Sequence, residues 1–333
     1  MATLVLNRDS LSVNLESNHL VVHEHTDGGS FCRMPLVDVE RVIVVGQPAI
    51  TFPVFAKLMD LGIPCSFLSH GGRWRGMMDG DSGFHAERRM RQYACVNDSG
   101  FALDLVRRTV EAKMFNSRRT VQRLANERGI SLVEDESWIA IAKLKEELPF
   151  AKTMNSIRGM EGQAANVYFR LLGRFFPPDV PFESRTRRPP RDEANALLSF
   201  VYTLLMNVFV ATIRAHGLDV AGGFFHRGYD RSPALALDLM EPFRSPWADR
   251  LVLDLLNHRR IRVADHFEHA DENGVFLNEP GRRIVFKAFD EMMERRRSTE
   301  RGMLTGKQIV GDVVCGFINS VEAGERIRFF RAA

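Results

Sequence analysis

Residues 101–128 read FALDLVRRTVEAKMFNSRRTVQRLANER, a long amphipathic stretch whose spacing predicts one helix. The chain changes character just before it. Val5–Leu6, Leu11–Leu15, Leu20–His25 and Val42–Val45 have strand character, with Gly28-Gly29 as a turn. One helix is expected among them at 48–61, capped by Gly62. Two short strands follow, at Cys65–Leu68 and Trp74–Met78, joined by His70-Gly71-Gly72. From residue 86 onward amphipathic segments succeed one another. Helices are expected at 86–96, 101–128, 137–148, 153–175, 192–216, 233–240, 246–257, 264–270, 279–298 and 305–323. The fold class is therefore α+β: a small β-rich N-terminal domain over 1–85, then a larger all-α domain over 86–333.

The totals fit that division. A chain of 333 residues, 45% apolar and 26% charged, can bury a large core and divide into two domains. No unbroken run of about 18 apolar residues is evident, so no membrane span is expected. The N-terminus MATLVLNRDS has no signal-peptide pattern. Four cysteines, Cys32, Cys65, Cys95 and Cys315, form no CxxC pair, which suits a cytoplasmic chain and argues against a structural zinc.

Acids occur where apolar residues are expected. The stripe of the 153–175 helix runs through Ile157, Ala164, Ala165, Tyr168, Leu171 and Leu172, and Glu161 falls on it between Gly159 and Gly162. Residues 221–244, AGGFFHRGYDRSPALALDLMEPFR, repeat the anomaly. Ser232 and Pro233 open a short helix, Asp238 and Glu241 share a face at i, i+3, and Pro242 ends it. His226 lies in the turn before. Buried acids need a partner. Carboxylates and one imidazole brought together make a divalent-ion site of the Mg²⁺ or Mn²⁺ type. Each residue also has a plainer reading: Glu161 paired with Arg158 or Arg170, His226 as a turn residue, Asp238 and Glu241 on an exposed face. Spacing alone does not show that these groups meet.

The net charge is only +3, but it is unevenly spread. From His85 to Arg128 there are ten Lys or Arg against five Asp or Glu, with Arg118 and Arg119 among them. The loop 177–191, PPDVPFESRTRRPPR, has five prolines and carries Arg185, Arg187, Arg188 and Arg191. Arg259 and Arg260 add a further cluster. Arginine forks suit phosphate, so these are candidate DNA-backbone contacts, against the alternative of solvated helix faces. Other signals carry no function. Gly80-Asp81-Ser82-Gly83 reads as a turn rather than a protease nucleophile, because too few residues precede it to build such a protease. His23 with His25, and His266 with His269, share faces but lack further ligands.

Three stretches, SIRGMEGQAANVYF (156–169), SRTRRPPRDEANALLSFVYTLL (184–205) and GFFHRGYDRSPALALDLMEPFR (223–244), resemble the Cas-one family of CRISPR-associated integrases. The resemblance covers nearly the whole chain. It implies metal ligands at Glu161, His226 and Glu241, with Asp238 as a supporting or alternate ligand and Asn195 in a segment close to the site. It implies an endonuclease/integrase that uses Mg²⁺ or Mn²⁺ to insert spacer DNA into a CRISPR array, a DNA 3′-OH attacking a phosphodiester. The partners it implies are double-stranded DNA, a second copy of the chain as a homodimer, and the small Cas-two protein in a heterohexamer. A plain metal-dependent nuclease and a non-catalytic DNA-binding scaffold are the alternatives.

Overall fold

The computed structural model describes residues 2–25, 31–80, 85–186, 189–226, 232–270 and 274–332. The expected turn at Gly28-Gly29, the 81–83 part of the GDSG turn, and Arg187 and Arg188 lie outside the described residues.

The N-terminal part is two sheets and one helix. Strands β2 (Leu11–Glu16) and β3 (His19–Glu24) form a hairpin in register Glu16 to His19. Its two-residue turn, Ser17-Asn18, has positive φ at both positions (44° and 63°), the backbone twist that suits a tight hairpin. β4 (Phe31–Pro35) pairs antiparallel with β3, and the two-residue β6 (Ala49–Ile50) pairs parallel with β2. The expected helix over 48–61 begins later than its pattern suggested. β6 takes its first residues, and α1 (Phe52–Asp60) starts beside Pro53, whose fixed φ and missing N–H suit a helix's first turn.

The second sheet links the two parts of the chain. Its order is β1 (Ala2–Leu6), β5 (Val39–Val45), β7 (Cys65–Leu68) and β8 (Trp74–Met78), with only the last pair antiparallel. Side chains alternate across a strand, so β5 serves two cores. Val42 and Val44 pack with Leu6, Leu20, Leu58 and Cys65. Ile43 and Val45 face the other way, into a large core shared with the helices. The sheet is thus a septum between an N-terminal core and the helical one.

The helical part is α2 (Ala86–Asn97), α3 (Ser99–Glu127), α4 (Glu136–Glu147), α5 (Met154–Gly173), α6 (Glu193–Ala215), α7 (Ala234–Met240), α8 (Arg250–Asn257), α9 (Val263–His266), α10 (Glu279–Glu294) and α11 (Gly306–Ala323). Asp98, Asp135, Thr153, Asp192, Asn278 and Thr305 cap α3, α4, α5, α6, α10 and α11 through their side chains, satisfying N–H groups that have no partner inside the helix. α6 is buried on most of its circumference. It is long and apolar enough to cross a membrane, but 72% of its most apolar window is buried inside the protein. Its apolar character therefore has a structural cause, as the central helix of the core.

Three expected helices differ. The 264–270 helix is only one turn, α9, after which β9 (Phe267–Ala270) pairs with β10 (Gly274–Leu277). Buried Phe267, Val275 and Leu277 hold this hairpin, and Val275 N donates to Pro190 O at 3.0 Å. His266 and His269 consequently sit in different elements rather than on one helix face. The helix expected over 279–298 ends at Glu294, and β11 (Arg297–Thr299) pairs with β12 (Gly302–Leu304). The one expected over 246–257 is split. A 3₁₀ turn, Glu241–Phe243, and a π turn, Arg244–Asp249, precede α8. The second part of the chain is therefore helical with two small hairpins rather than all-α.

Candidate active site

The π turn and the helices around it set the site. Turns of this wider geometry recur at functional positions because they re-aim side chains. Here the chain after α7 turns so that Asp238, Glu241, Arg244, Ser245 and Asp249 are all buried or nearly so. Such a density of buried polar groups requires internal partners.

Asp238 is fully buried and organises residues 224–226. Its Oδ2 accepts the backbone N–H groups of Phe224 (2.6 Å) and Phe225 (2.9 Å). Its Oδ1 accepts His226 N–H (2.9 Å) and contacts His226 Nδ1 at 2.6 Å. A carboxylate only accepts, so Nδ1 carries a proton and Nε2 is the ring nitrogen left to face the site. Nε2 then faces Glu241 Oε1 at 3.6 Å. Gly223 permits this packing, since a Cβ there would stand 2.8 Å from Asp238 Oδ2 and 2.7 Å from Ala234 Cβ. With two donors on each oxygen, Asp238 is committed to orienting His226.

Glu241 is 3% exposed. Arg244 Nη2 stands 3.0 Å from its Oε1, and Lys113 Nζ stands 2.7 Å from its Oε2. Oε2 and the ammonium thus form an ion pair inside the protein. Burial alone pushes the Glu241 carboxyl up, but Arg244, Lys113 and His226 outweigh it and hold it down at about 2. The same ammonium meets Glu161 Oε1 from α5. Burial pulls Lys113 down, but Glu241 and Glu161 prevail and hold it above its ordinary value. Glu161 thus pairs with Lys113 and not with Arg158 or Arg170. Arg158 instead donates to Phe225 O at 3.0 Å. Beside Glu161, a Cβ at Gly159 or Gly162 would meet nothing within 4 Å, so that flank of α5 is open.

A second buried constellation adjoins the first. Asp249 accepts Tyr168 OH at 2.6 Å and Tyr202 OH at 2.5 Å. Burial raises Asp249 to about 6 against the pull of the two tyrosines, Arg185 and Arg244, and pushes both tyrosines well above their ordinary value. A small cavity lined by Lys113, Glu161, Tyr168, Tyr202, Glu241, Arg244 and Asp249 joins the two groups.

The structure therefore sets His226 between Asp238 and Glu241 and links Glu241 to Glu161 of α5 through Lys113. Sequence reasoning missed Lys113, Arg244 and Asp249 as members. A signal existed for Lys113: the buried face of α3 carries Thr109, Asn116, Ser117 and Thr120, an unusually polar stripe for a core helix. Among the described residues, no three His, Cys, Asp or Glu side chains stand close enough to hold a metal ion as placed. The Lys113 ammonium separates the two glutamates. The donor set nevertheless suits a divalent cation, because two carboxylates share a single ammonium and an oriented imidazole turns Nε2 toward one of them.

The candidate DNA-binding arginines are dispersed. Arg185 is turned inward: Nη1 donates to Asn195 Oδ1 at 2.7 Å and Nη2 to Ser199 Oγ at 2.9 Å, and the guanidinium lies over Tyr202. It ties the proline-rich loop to α6 together with Asn195, whose Nδ2 donates to Ser184 O at 2.8 Å. Arg118 stacks on Trp138, 4.3 Å from the ring centroid. Arg260 faces Asp254 (3.9 Å) and Glu291 (3.5 Å). Arg119, Arg191 and Arg259 are exposed.

Comparison with known proteins gives the chain's family and fold. The family model described as CRISPR associated protein Cas1 matches residues 4–291. A "CRISPR-associated endonuclease Cas1 1" of Thermodesulfovibrio yellowstonii is 28% identical over 92% of this chain and 96% of its own length. A "CRISPR-associated endonuclease Cas1 1" of Thermus thermophilus is 33% identical over 87% of this chain and 86% of its own. Among solved structures, a casposase bound to its integration product superposes with a TM-score of 0.89 at 21% identity, covering 99% of this chain and 93% of that one. A Cas1 protein from Thermotoga maritima superposes with a TM-score of 0.82 at 22% identity, with full coverage of both chains. The chain belongs to the Cas1, or Cas-one, family of CRISPR-associated proteins.

Proposed function

We propose that this protein is a metal-dependent DNA endonuclease/integrase that inserts spacer DNA into a CRISPR array by phosphoryl transfer. The observation that carries the reading is that Glu241 faces an oriented His226 and is linked to Glu161 through Lys113, in a chain of the Cas1 family. Glu161, Glu241 and His226 would hold a Mg²⁺ or Mn²⁺ ion, which supplies Lewis-acid polarisation of a phosphodiester oxygen. Asp238 fixes the imidazole tautomer so that Nε2 is the free nitrogen. Arg244 neutralises Glu241 from the other side and keeps its carboxylate ionised. Burial of Glu241 and Arg244 strengthens their charge interaction, and the nucleophile is a DNA 3′-OH aligned by the bound strands.

In this reading the partners are double-stranded DNA, a second copy of the chain, and Cas2. One similar solved structure, with a TM-score of 0.85, is a "Cas6-RT-Cas1--Cas2 complex", although this chain spans only 36% of the length of that one. A homodimer formed through the 1–85 unit, two of which flank a Cas2 dimer while the 86–333 unit holds the site, fits the family. Activity then belongs in the cytoplasm, where array DNA is found.

A plain nuclease is the second reading, favoured by the word endonuclease in the relatives' names. The same residues serve it, with water in place of the 3′-OH. Incubation with a short duplex and a supercoiled array plasmid, with and without Cas2, separates the two. Covalent joining of the duplex to the plasmid is expected. Nicking without joining under every condition selects the nuclease, and no reaction at all removes both.

A further inference from the structure

We infer that Lys113 is a positioning residue: an internal counter-ion that holds Glu161 and Glu241 together in the metal-free protein and competes with a divalent cation for the gap between them. The inference rests on the reading of this site as a divalent-ion centre. Lys113 comes from the middle of α3, between buried Ala112 and Met114, so its backbone cannot withdraw. Its ammonium touches Glu161 Oε1 and lies 2.7 Å from Glu241 Oε2. Among the described residues it is the only ion-pair partner of Glu161, whereas Glu241 also has Arg244 at 3.0 Å.

The charge balance forces the competition. Two carboxylates already face two cations, Lys113 and Arg244. A doubly charged ion added between the carboxylates would meet the ammonium at close range in a poorly screened interior. Arg244 is held on the far oxygen of Glu241 and over the Tyr202 ring, 4.8 Å from its centroid, so it stays in place. Lys113, on a four-carbon stem with three rotatable donors, is the group that can swing. The lysine thus keeps the acids assembled, and its displacement lowers the apparent affinity for the ion.

Manganese(II) alone tests this, with free Mn²⁺ followed by electron paramagnetic resonance in the full chain. Lys113→Met and Lys113→Gln are each expected to bind Mn²⁺ at least tenfold more tightly than wild type. Both are also expected to melt at a lower temperature than wild type without metal, the gap narrowing at saturation. A merely structural lysine would lower the melting temperature and leave the affinity unchanged or weaker, and that result overturns the inference. If neither variant folds, wild-type crystals soaked in MnCl₂ decide. The ammonium is expected to have left Glu241 Oε2, and retention of both lysine contacts beside bound manganese overturns the proposal. Glu161→Gln controls the underlying reading. It is expected to weaken Mn²⁺ binding, and an affinity equal to wild type refutes the metal centre itself, whatever Lys113 does.

Discussion

Asp249 shows how burial decides a residue's chemistry. Two tyrosine hydroxyls at 2.5–2.6 Å stabilise its carboxylate, yet burial dominates and raises it from 3.8 to about 6. A carboxyl raised on folding binds its proton more tightly in the native state. Its contribution to stability is therefore present below pH 3.8 and lost as the pH rises through about 6. The difference is of order 3 kcal/mol at most, from roughly two units at 1.36 kcal/mol each. Denaturation of wild type and Asp249→Asn from pH 4 to 6.5 is expected to show wild type losing ground steadily to the variant, and parallel profiles would count against the burial argument. Glu241 has the opposite sign. Its carboxyl is held down at about 2, so its contribution is present above pH 4.5 and is lost as the pH falls through about 2. At this scale the sequence was partly legible. Glu161, Asp238 and Glu241 stood out because acids interrupt apolar stripes. Lys113 and Asp249 did not, because their partners lie 47 or more residues away and no local pattern encodes the meeting.

At the scale of elements, α3 ties the site to the end of the chain. About one turn past Lys113, Asn116 donates to Pro242 O (2.6 Å) and Phe330 O (2.9 Å) and accepts from Ala332 N (2.8 Å). Phe330 stacks on Phe243, with ring centroids 4.6 Å apart. The C-terminal segment after α11 is thus fastened directly behind Glu241. Asn116→Ala leaves buried polar groups unpaired, at roughly 1–3 kcal/mol each. A lower melting temperature and faster proteolysis within 324–332 are expected, and an unchanged digestion pattern would show that the clamp does not secure the segment. Most helices were readable from periodicity and caps. The β9–β10 hairpin was not, since Phe267-Glu268-His269-Ala270 is a strand only because β10 and Pro190 lie alongside it.

For the whole molecule, the β-then-helical order was legible, but the septum role of the second sheet was not. Alternation within Val39–Val45 shows two buried faces without showing that each belongs to a different core. In the proposed function the candidate arginines would act at this scale too, because binding to a DNA backbone depends on summed charge. Arg187→Ala combined with Arg188→Ala is expected to weaken DNA binding and make the slope of log affinity against log salt shallower by about 2, near 0.9 for each phosphate no longer neutralised. An unaltered slope would place the loop off the DNA path.

In the proposed function Glu161, Glu241 and His226 form one catalytic centre. Glu241→Gln tests it most directly, because the amide keeps the shape of the side chain and removes the charge that faces Lys113 and Arg244. Joining of a labelled duplex to array plasmid in Mn²⁺ or Mg²⁺ should fall by about a hundredfold or more, from loss of transition-state charge stabilisation, while DNA binding persists. Joining at the wild-type rate by a folded, DNA-binding Glu241→Gln protein would contradict it.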